Sequence, residues 1–270
     1  MSLAWEPKTP LRLRPPGIAG GLRALGRGVP LVLLLALGLL LLLLLRLLER
    51  PLHGSRRPWT PWITVAVCRG ALLLLGLRAR RRGPRLVRQG VVVANHSSWL
   101  DVLALGSLGP LVFVSKAEVA GWPGIGWLAR ATGTLFVRRD RRGEVGRQVA
   151  ALRERIERGE VVCLFPEGTS SDGRRVLPFK PALLAAVPPG VLVQAVSLSW
   201  EAPDGEDPRF YGWFGDAAFG PHAWVVLGTR RPGGVSVRRH APLVAGRDRK
   251  ALAREAEGLV RDALRLRPPL

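Results

Sequence analysis

The chain has 270 residues, 47% of them hydrophobic, which is enough for one domain with a sizeable core and an additional apolar segment. Its 41 Lys and Arg against 20 Asp and Glu give a net charge of +21, so the expected partner is nucleic acid, an anionic membrane surface or an anionic substrate. Cys68 and Cys163 lie far apart with no Cys/His cluster, so we expect no disulfide framework and no metal site, and a reducing cytoplasm fits best.

Residues 29–48 read VPLVLLLALGLLLLLLLRLL and contain a single charge, Arg46. At about 1.5 Å per residue, a helix of this length approaches the ~30 Å of a bilayer's hydrocarbon core. A cleaved signal peptide is the alternative, because arginines precede the run. The run is longer than a signal peptide's usual apolar region, and no A-x-A-like site comes after it. The sequence therefore predicts an uncleaved, transmembrane or deeply inserted anchor.

A second, weaker apolar segment covers residues 62–77 and contains Arg69. It predicts either an interfacial or re-entrant helix, with Trp59 and Trp62 at the level of the lipid head groups, or a buried helix of the domain. The basic run RARRR at 78–82 favours the cytoplasmic side for the remainder of the chain. We therefore expect a membrane-anchoring helical region at 1–80 and a domain at 81–270 on the cytoplasmic face of the membrane.

Beyond residue 83 the pattern changes to short apolar runs that alternate with helical ones. The predicted strands are residues 91–94, 111–114, 134–137, 161–165, 191–197, 224–227 and 235–238. Apolar residues at 145, 149, 152 and 156 form one stripe of an amphipathic helix, and Asp248 is placed to cap a last helix. This alternation predicts an α/β domain with a mixed, largely parallel sheet flanked by helices.

The stretch ANHSSWLD at 94–101 comes directly after the first predicted strand. If Ser97 or Ser98 caps a helix that begins near Trp99, then Asp101 lies in its first turn and can reach back to the imidazole of His96. Such a pair fixes the tautomer of the histidine and leaves its other nitrogen as a general base. The alternative is a polar turn residue beside an acid that only favours the helix N-terminus. No G-x-S-x-G elbow supplies a nucleophile, so the base would act on a hydroxyl of a bound substrate.

Two further polar motifs come after predicted strands. FPEGTSSDG at 165–173 allows a tight turn that can hold a polar ligand, with Lys180 just beyond it; an ordinary turn is the alternative. Residues 113–140 place Lys116 and Arg138 after strands, with Gly133 between them. These cations can contact an anionic substrate, or they form a solvated basic edge.

In this order, the segments ANHSSWLD, FVSKAEV with GWPGIGWLARATGTLFVRR, LFPEGTSSDG with VLPFK, and VLVQAVSL resemble the four blocks of the 1-acylglycerol-3-phosphate acyltransferase (PlsC-type) family of glycerolipid acyltransferases. The resemblance covers roughly residues 84–200. It implies a glycerol-3-phosphate acyltransferase-like sheet flanked by helices, placed on the membrane by an N-terminal helical element. It also implies phospholipid biosynthesis, with a lysolipid converted to phosphatidic acid.

By this resemblance, His96 deprotonates the free hydroxyl of a lysolipid, and Asp101 orients the imidazole. Acyl-CoA or acyl-carrier protein is the implied co-substrate, with no other cofactor and no acyl-enzyme. The residues assigned to substrate binding are Glu167, Gly168 and Thr169 around the polar head of the acceptor, Lys116 and Arg138 near phosphate, and Gly133.

One position departs from the family pattern. Many members that act on phosphate substrates read E-G-T-R, whereas Ser170 stands at the place of that arginine. Loss of a guanidinium removes a bidentate phosphate contact, so either the acceptor carries a different head group or another cation compensates. The resemblance extends to lyso-ornithine-lipid acyltransferases, which need no phosphate contact. From the sequence we rank lysophosphatidate first and lyso-ornithine lipid second as the acceptor.

Two other classes of protein compete with this interpretation. A nucleic-acid-binding module would account for the charge, but the arginines are spread along the whole chain and no such motif occurs, so we expect no nucleic acid partner. A non-catalytic membrane-binding protein of the same fold is the closer rival. It would keep membrane association when His96 is replaced, and it would show no activity to lose.

Overall fold

The structure is a computed structural model that describes residue 5 and residues 9–138 and 142–265. Its centre is an eight-stranded sheet in the order β1-β7-β6-β2-β5-β3-β4, with β8 paired to β6. The strands are β1 (Arg78–Arg82), β2 (Gly90–Ala94), β3 (Val112–Lys116), β4 (Leu135–Val137), β5 (Val161–Leu164), β6 (Leu192–Glu201), β7 (Gly234–Arg239) and β8 (Leu243–Val244). The run from β6 to β4 is parallel, β7 and β8 are antiparallel to β6, and β1 is parallel to β7.

Helices cover both faces of this sheet. They are α1 (Ile18–His53), α2 (Thr60–Leu74), α3 (Leu100–Gly106), α4 (Ile125–Ala131), α5 (Val145–Glu157), α6 (Phe219–Gly228) and α7 (Arg249–Arg265), with short 3-10 helices at Ala117–Gly121, Arg142–Glu144 and Leu183–Ala186. Strand β2 is buried along its whole length. Val91 and Val93 pack on the side of α5 and α7, and Val92 and Ala94 pack on the side of α3. The predicted α/β fold with a mixed, largely parallel sheet is confirmed.

Most of the predicted strands are present, and the exceptions have physical reasons. Residues 224–227 are not a strand but part of α6, because periodicity cannot separate a short apolar run in a strand from one in a buried helix. The arginine-rich β1 and the two-residue β8 are not among the predicted strands. β1 is an edge strand whose backbone pairs with β7 while its side chains are largely exposed, so it carries no apolar signal. The predicted domain boundary between residues 80 and 81 falls inside it.

Helix α1 contains the predicted apolar anchor and is longer than that anchor. It has 36 residues and is the one helix in the described part of the chain that is long and apolar enough to cross a membrane. Only 11% of its most apolar window is buried in the protein. Near its start, Arg23 and Arg27 donate to the carbonyls of residues 227, 228 and 229 at the end of α6. The apolar part of α1 is therefore exposed, while its first turns are fixed to the domain.

Helix α2 has one buried face and one exposed apolar face. The buried face fits the predicted helix of the domain, and the exposed face fits the predicted interfacial helix. Cys68 packs against α3, where a Cβ at Gly106 would lie 2.8 Å from its sulfur. On the outer side, Trp62 and Leu73 are exposed.

The buried carboxylate of Glu49 fixes the turn between α1 and α2. It accepts the backbone amides of Trp59 at 2.7 Å and Thr60 at 3.1 Å, and the hydroxyl of Thr60 at 2.7 Å. Arg46 pairs with it at 2.9 Å. A carboxylate from α1 therefore satisfies the free amides at the start of α2, as a local N-cap would.

Candidate active site

The turn after β2 is fixed by a side chain that bridges two strands. The amide group of Asn95 donates to the carbonyl of Leu198 at 2.9 Å, and its oxygen accepts the Leu198 backbone amide at 2.8 Å. Asn95 is fully buried at the exit of β2, and Leu198 lies in β6, the next strand of the sheet. This bridge determines where the next residue, His96, leaves the sheet.

His96 and Asp101 form the predicted pair. Nδ1 of His96 lies 2.9 Å from Oδ2 of Asp101, whose side chain is fully buried. The same carboxylate oxygen accepts the backbone amides of Ser97 at 2.7 Å and Ser98 at 2.8 Å, and Oδ1 accepts the indole N–H of Trp200 at 2.7 Å. An ionised carboxylate only accepts hydrogen bonds, so Nδ1 carries the proton and Nε2 has a free lone pair. The spatial prediction for this dyad is confirmed.

The start of α3 differs in one detail from the expectation. The helix begins at Leu100, with Trp99 before it and no side-chain cap at that residue. Ser98 accepts the amide of Leu100 through its hydroxyl, at 3.3 Å. The backbone amide of Ser97 donates to the carboxylate of Asp101. The acid in the first turn of α3 therefore holds the loop that precedes the helix.

The imidazole of His96 stacks on a phenyl ring and remains accessible. Its ring centroid lies 4.1 Å from that of Phe165, with the planes 22° apart, and Phe113 stacks behind Phe165. The side chain of His96 is 21% exposed, whereas its partner Asp101 is not exposed at all. The ring is therefore held by packing on one side and by the carboxylate on its edge, and it is not sealed in the core.

Glu167 positions the loop of the second motif against His96. It is 1% exposed; one carboxylate oxygen accepts the His96 backbone amide at 2.9 Å and the other accepts that of Leu177 at 3.2 Å. Burial raises the pKa of Glu167 to about 8, against the lowering effect of these two amides. The structure thus gives Glu167 a positioning role, and its contact with the acceptor head stays a prediction.

We expect this buried acid to make stability depend on pH. The folded protein holds the Glu167 proton up to about pH 8, while the unfolded carboxyl loses it near 4.5, so the free energy of unfolding falls as pH rises through that window. The free energy of unfolding of Glu167→Gln, minus that of wild type, should therefore rise by roughly 1.4 kcal/mol per pH unit across the window. Above the window this difference should be constant. Thermal unfolding in neutral detergent from pH 5 to 9 measures this. The exposed-residue control Glu206→Gln should show no such slope, and a flat difference for Glu167→Gln would contradict the raised pKa.

The rest of the FPEGTSSDG loop lies directly on the turn that carries His96. The amide of Ser171 donates to the carbonyl of His96 at 2.9 Å. A Cβ at Gly173 would be 3.2 Å from the Cβ of Ser97, and the positive φ of 73° also favours glycine at this close approach. Gly168, also at positive φ, and the half-buried Thr169 come after Glu167 in the same loop. The structure therefore brings Glu167, Gly168 and Thr169 together with His96.

The predicted cations lie further along the same edge of the sheet. Lys116 ends β3 and is paired in register with Val137, which ends β4 and is followed by Arg138. Both side chains are exposed, and Arg138 lies 3.9 Å from Glu144. With strands about 4.8 Å apart, they are roughly 10 and 14 Å from β2 across the sheet. Their contact with substrate stays a prediction.

Gly133 and Lys180 are not brought to the dyad in the same way. Gly133 has a φ of 83° and ends α4, its amide bonding to the carbonyl of Arg130. It precedes β4 and so lies away from the edge where the strands end; its assignment to substrate binding stays a prediction. The side chain of Lys180 is exposed, and only its backbone amide is tied to the loop, through the carbonyl of Pro166.

Sequence reasoning missed Trp200 and the stacking role of Phe165. Trp200 reaches Asp101 from β6, and a long-range indole contact leaves no pattern in the sequence. Phe165 begins the FPEGTSSDG motif, yet its apolar character indicates only a strand. Cys163 lies near Asp101 but is no nucleophile, because burial first and the neighbouring carboxylate second raise the pKa of its thiol.

Comparison with known proteins identifies the family. The family described as Acyltransferase matches residues 78–199. The chain is 48% identical over 267 residues to the lyso-ornithine lipid O-acyltransferase of Rhodobacter capsulatus, covering 96% of each chain. The chain belongs to the PlsC-type acyltransferase family. This acyltransferase is also 37% identical over 139 residues, 50% of its length and 54% of the other, to a 1-acyl-sn-glycerol-3-phosphate acyltransferase of Neisseria gonorrhoeae.

A solved structure supports the fold of the acyltransferase. It is similar to the 1-acyl-sn-glycerophosphate acyltransferase PlsC of Thermotoga maritima, with a TM-score of 0.58 and 23% sequence identity. The match covers 90% of this chain and 100% of the other. The His96–Asp101 dyad and the loop after β5 both lie inside the matched family region.

Proposed function

We propose that the protein transfers a fatty acyl group from an acyl thioester to the free hydroxyl of lyso-ornithine lipid, at the cytoplasmic face of the membrane. The observation that carries this acceptor is the full-length similarity to an acyltransferase of that name, at 48% identity. Ser170 supports it, because the site lacks the arginine that would form a bidentate contact with phosphate. This reverses the order of the two acceptors that the motifs alone favour.

In the proposed reaction, His96 acts on the acceptor and not on a protein nucleophile. Its Nε2 takes the proton of the lysolipid hydroxyl as the oxygen attacks the thioester carbonyl. Collapse of the tetrahedral intermediate breaks the C–S bond, and the imidazolium returns the proton to the departing thiolate. Asp101, with its four hydrogen-bond donors, keeps Nδ1 protonated and stabilises the positive ring. The donor is acyl-CoA or acyl-carrier protein.

Lysophosphatidate is the second candidate acceptor. It is favoured by the similarity to the Neisseria enzyme and by two cations on the catalytic side of the sheet, Lys116 at the end of β3 and Arg138 directly after β4. Those cations are exposed and roughly 10 Å or more from β2. From there they cannot give the bidentate contact to phosphate that an arginine beside Thr169 would give. The phosphate acceptor therefore comes second.

A panel of acceptors tests the proposed function. The purified protein, with labelled acyl-CoA or acyl-carrier protein, is offered lyso-ornithine lipid, lysophosphatidate and lysophosphatidylcholine in neutral detergent. We expect ester formation with lyso-ornithine lipid at a kcat/KM at least tenfold above that for the other two. Transfer only to lysophosphatidate would overturn the acceptor, and transfer to none would favour a non-catalytic membrane protein.

Replacing Ser170 by arginine should shift the choice of acceptor towards phosphate. Ser170 is half-buried in the loop that covers His96, so a guanidinium there adds one bidentate contact to a phosphate head. A charge-assisted contact of about 1.5–3 kcal/mol corresponds to a roughly ten- to hundredfold change in the ratio of kcat/KM values for lysophosphatidate and lyso-ornithine lipid. Ser170→Gln controls for size. An equal change in ratio for both variants would contradict a phosphate contact at this position.

A further inference from the structure

Two arginines bond to Ser107 at the end of α3, outside the catalytic site, and a third lies near one of them on the same face of the sheet. Nε of Arg69, from α2, donates to the carbonyl of Ser107 at 2.9 Å, and Nη2 of Arg81, from β1, donates to the hydroxyl of Ser107 at 3.1 Å. Arg239, at the end of β7, donates through Nη2 to the carbonyl of Gly83 at 3.2 Å. We call Arg69, Arg81 and Arg239 the arginine triad. β1 is three strands from β2, roughly 14 Å across the sheet.

The three guanidinium groups of the triad carry three positive charges. In the part of the chain that the structure describes, none of the three guanidinium groups forms an ion pair with a carboxylate. Burial, and then the charges of Arg69 and Arg239, lower the pKa of Arg81, as expected for a guanidinium with two like charges nearby. Three like charges held together in this way favour the binding of an anion between them.

The triad also has unused hydrogen-bond donors. A guanidinium has five N–H groups, and the bonds to Ser107 and Gly83 use one from each arginine. Nε of Arg239 is buried and has no partner among the described residues. Of the three arginines, only Arg69 bonds to a carbonyl at the end of α3. Capping of that helix therefore does not explain Arg81 and Arg239, and a buried unpaired donor is costly unless a ligand pairs with it.

The position of Arg69 indicates where the anion comes from. On α2, residues 62, 66, 69 and 73 are spaced four, three and four apart and form one stripe, along which Trp62 and Leu73 are strongly exposed. An apolar helix face with tryptophan and arginine is typical of a helix at the level of lipid head groups. Helix α1 packs antiparallel against α2, and its remaining apolar surface is exposed.

We propose that the arginine triad is a binding site for a phosphate group, separate from the catalytic centre, and that an anionic membrane phospholipid supplies it. The planar guanidinium matches phosphate oxygens in a bidentate geometry, and Nε of Arg239 supplies a donor that no protein group uses among the described residues. Such a lipid would link α2 to the edge of the sheet formed by β1 and β7. Inorganic phosphate offers the same chemistry, and the experiment distinguishes the two sources.

The test compares two double variants with the same loss of charge. Arg81→Gln with Arg239→Gln removes two members of the triad. Arg82→Gln with Arg238→Gln is the control, since these residues are their chain neighbours, are exposed, are paired in register and lie on the opposite face of the sheet. The full-length protein in neutral detergent is titrated with soluble dihexanoyl-phosphatidylglycerol, dihexanoyl-phosphatidylcholine or inorganic phosphate, and thermal unfolding is followed.

We expect phosphatidylglycerol to raise Tm by about 3 °C or more in wild type and in the control variant, and not in the triad variant. Phosphatidylcholine should have little effect. An equal rise with inorganic phosphate would support the site and assign it to free phosphate. The same rise in both double variants, or no rise in wild type, would overturn the proposal. If the triad variant fails to fold, the single change Arg69→Gln, at an exposed position of α2, gives the same comparison against Arg82→Gln. Acyl transfer by Arg69→Gln should stay within twofold of wild type.

Discussion

Replacing His96 with alanine is expected to lower kcat for acyl transfer by about a thousandfold, while the protein stays folded and bound to membranes. In the proposed reaction the imidazole is the base, since the bond between Nδ1 and Asp101 leaves its Nε2 free to accept the proton of the acceptor. Its ring is partly exposed, so the change leaves no large buried cavity. Release of thiol from acyl-CoA in the presence of lyso-ornithine lipid measures the loss.

His53→Ala is the matched control for this change. His53 is an exposed histidine at the end of α1 that contacts only Trp59 among the ring partners described, so its loss removes the same side chain without touching the site. We expect wild-type kcat for this control. Full activity in His96→Ala would show that the proton is removed by another group, and inactivity in both variants would point to loss of the fold.

Asp101→Asn should also cost about a thousandfold in kcat, with a smaller change in KM, because the residue acts through His96 and not on the substrate. Three donors converge on Oδ2, so the amide oxygen of asparagine takes that place and its NH2 then faces the indole N–H of Trp200. The side-chain NH2 and the indole N–H are both donors, so neither can accept the other's hydrogen bond. The negative charge that stabilises the imidazolium is also lost.

Two comparisons separate this electrostatic effect from a structural one. Asp204→Asn changes an exposed acid and should leave kcat unchanged. Trp200→Phe keeps the carboxylate but removes one donor, and we expect a loss of only about tenfold, from a less firmly held Asp101. If Trp200→Phe were as inactive as Asp101→Asn, packing around the site would be responsible instead of the charge of the carboxylate.

The dyad could be predicted from the sequence because His96 and Asp101 are only five residues apart, in the connection between β2 and α3. A strand that ends at Ala94 and a helix that begins at Leu100 leave His96 and Asp101 few ways to be arranged, and the carboxylate satisfies the loop amides as well as the imidazole. By contrast, Trp200 and Glu167 are far away in sequence and reach the turn only through the pairing of β2 with β6 and β5. The pairing order of strands is not encoded in local periodicity, so these contacts required the structure.

The same distinction explains the errors in the fold. The apolar run at 224–227 has the composition of a strand, but its neighbours in three dimensions make it part of α6. Strand β1 carries only the signal of a basic flank, because Arg78, Arg80 and Arg82 are exposed and its stability comes from backbone pairing with β7. The arginine triad depends on that pairing too, since it joins a side chain of β1 to one of β7.

If His96 acts on the hydroxyl of the acceptor, no acyl group is attached to the protein at any step of the proposed reaction. Incubating the purified protein with radiolabelled acyl-CoA or acyl-carrier protein, without lysolipid, and then precipitating it tests this directly. We expect no label on the protein, and ester formation as soon as lysolipid is added. Label that is attached to the protein and then passes to the lysolipid would contradict it.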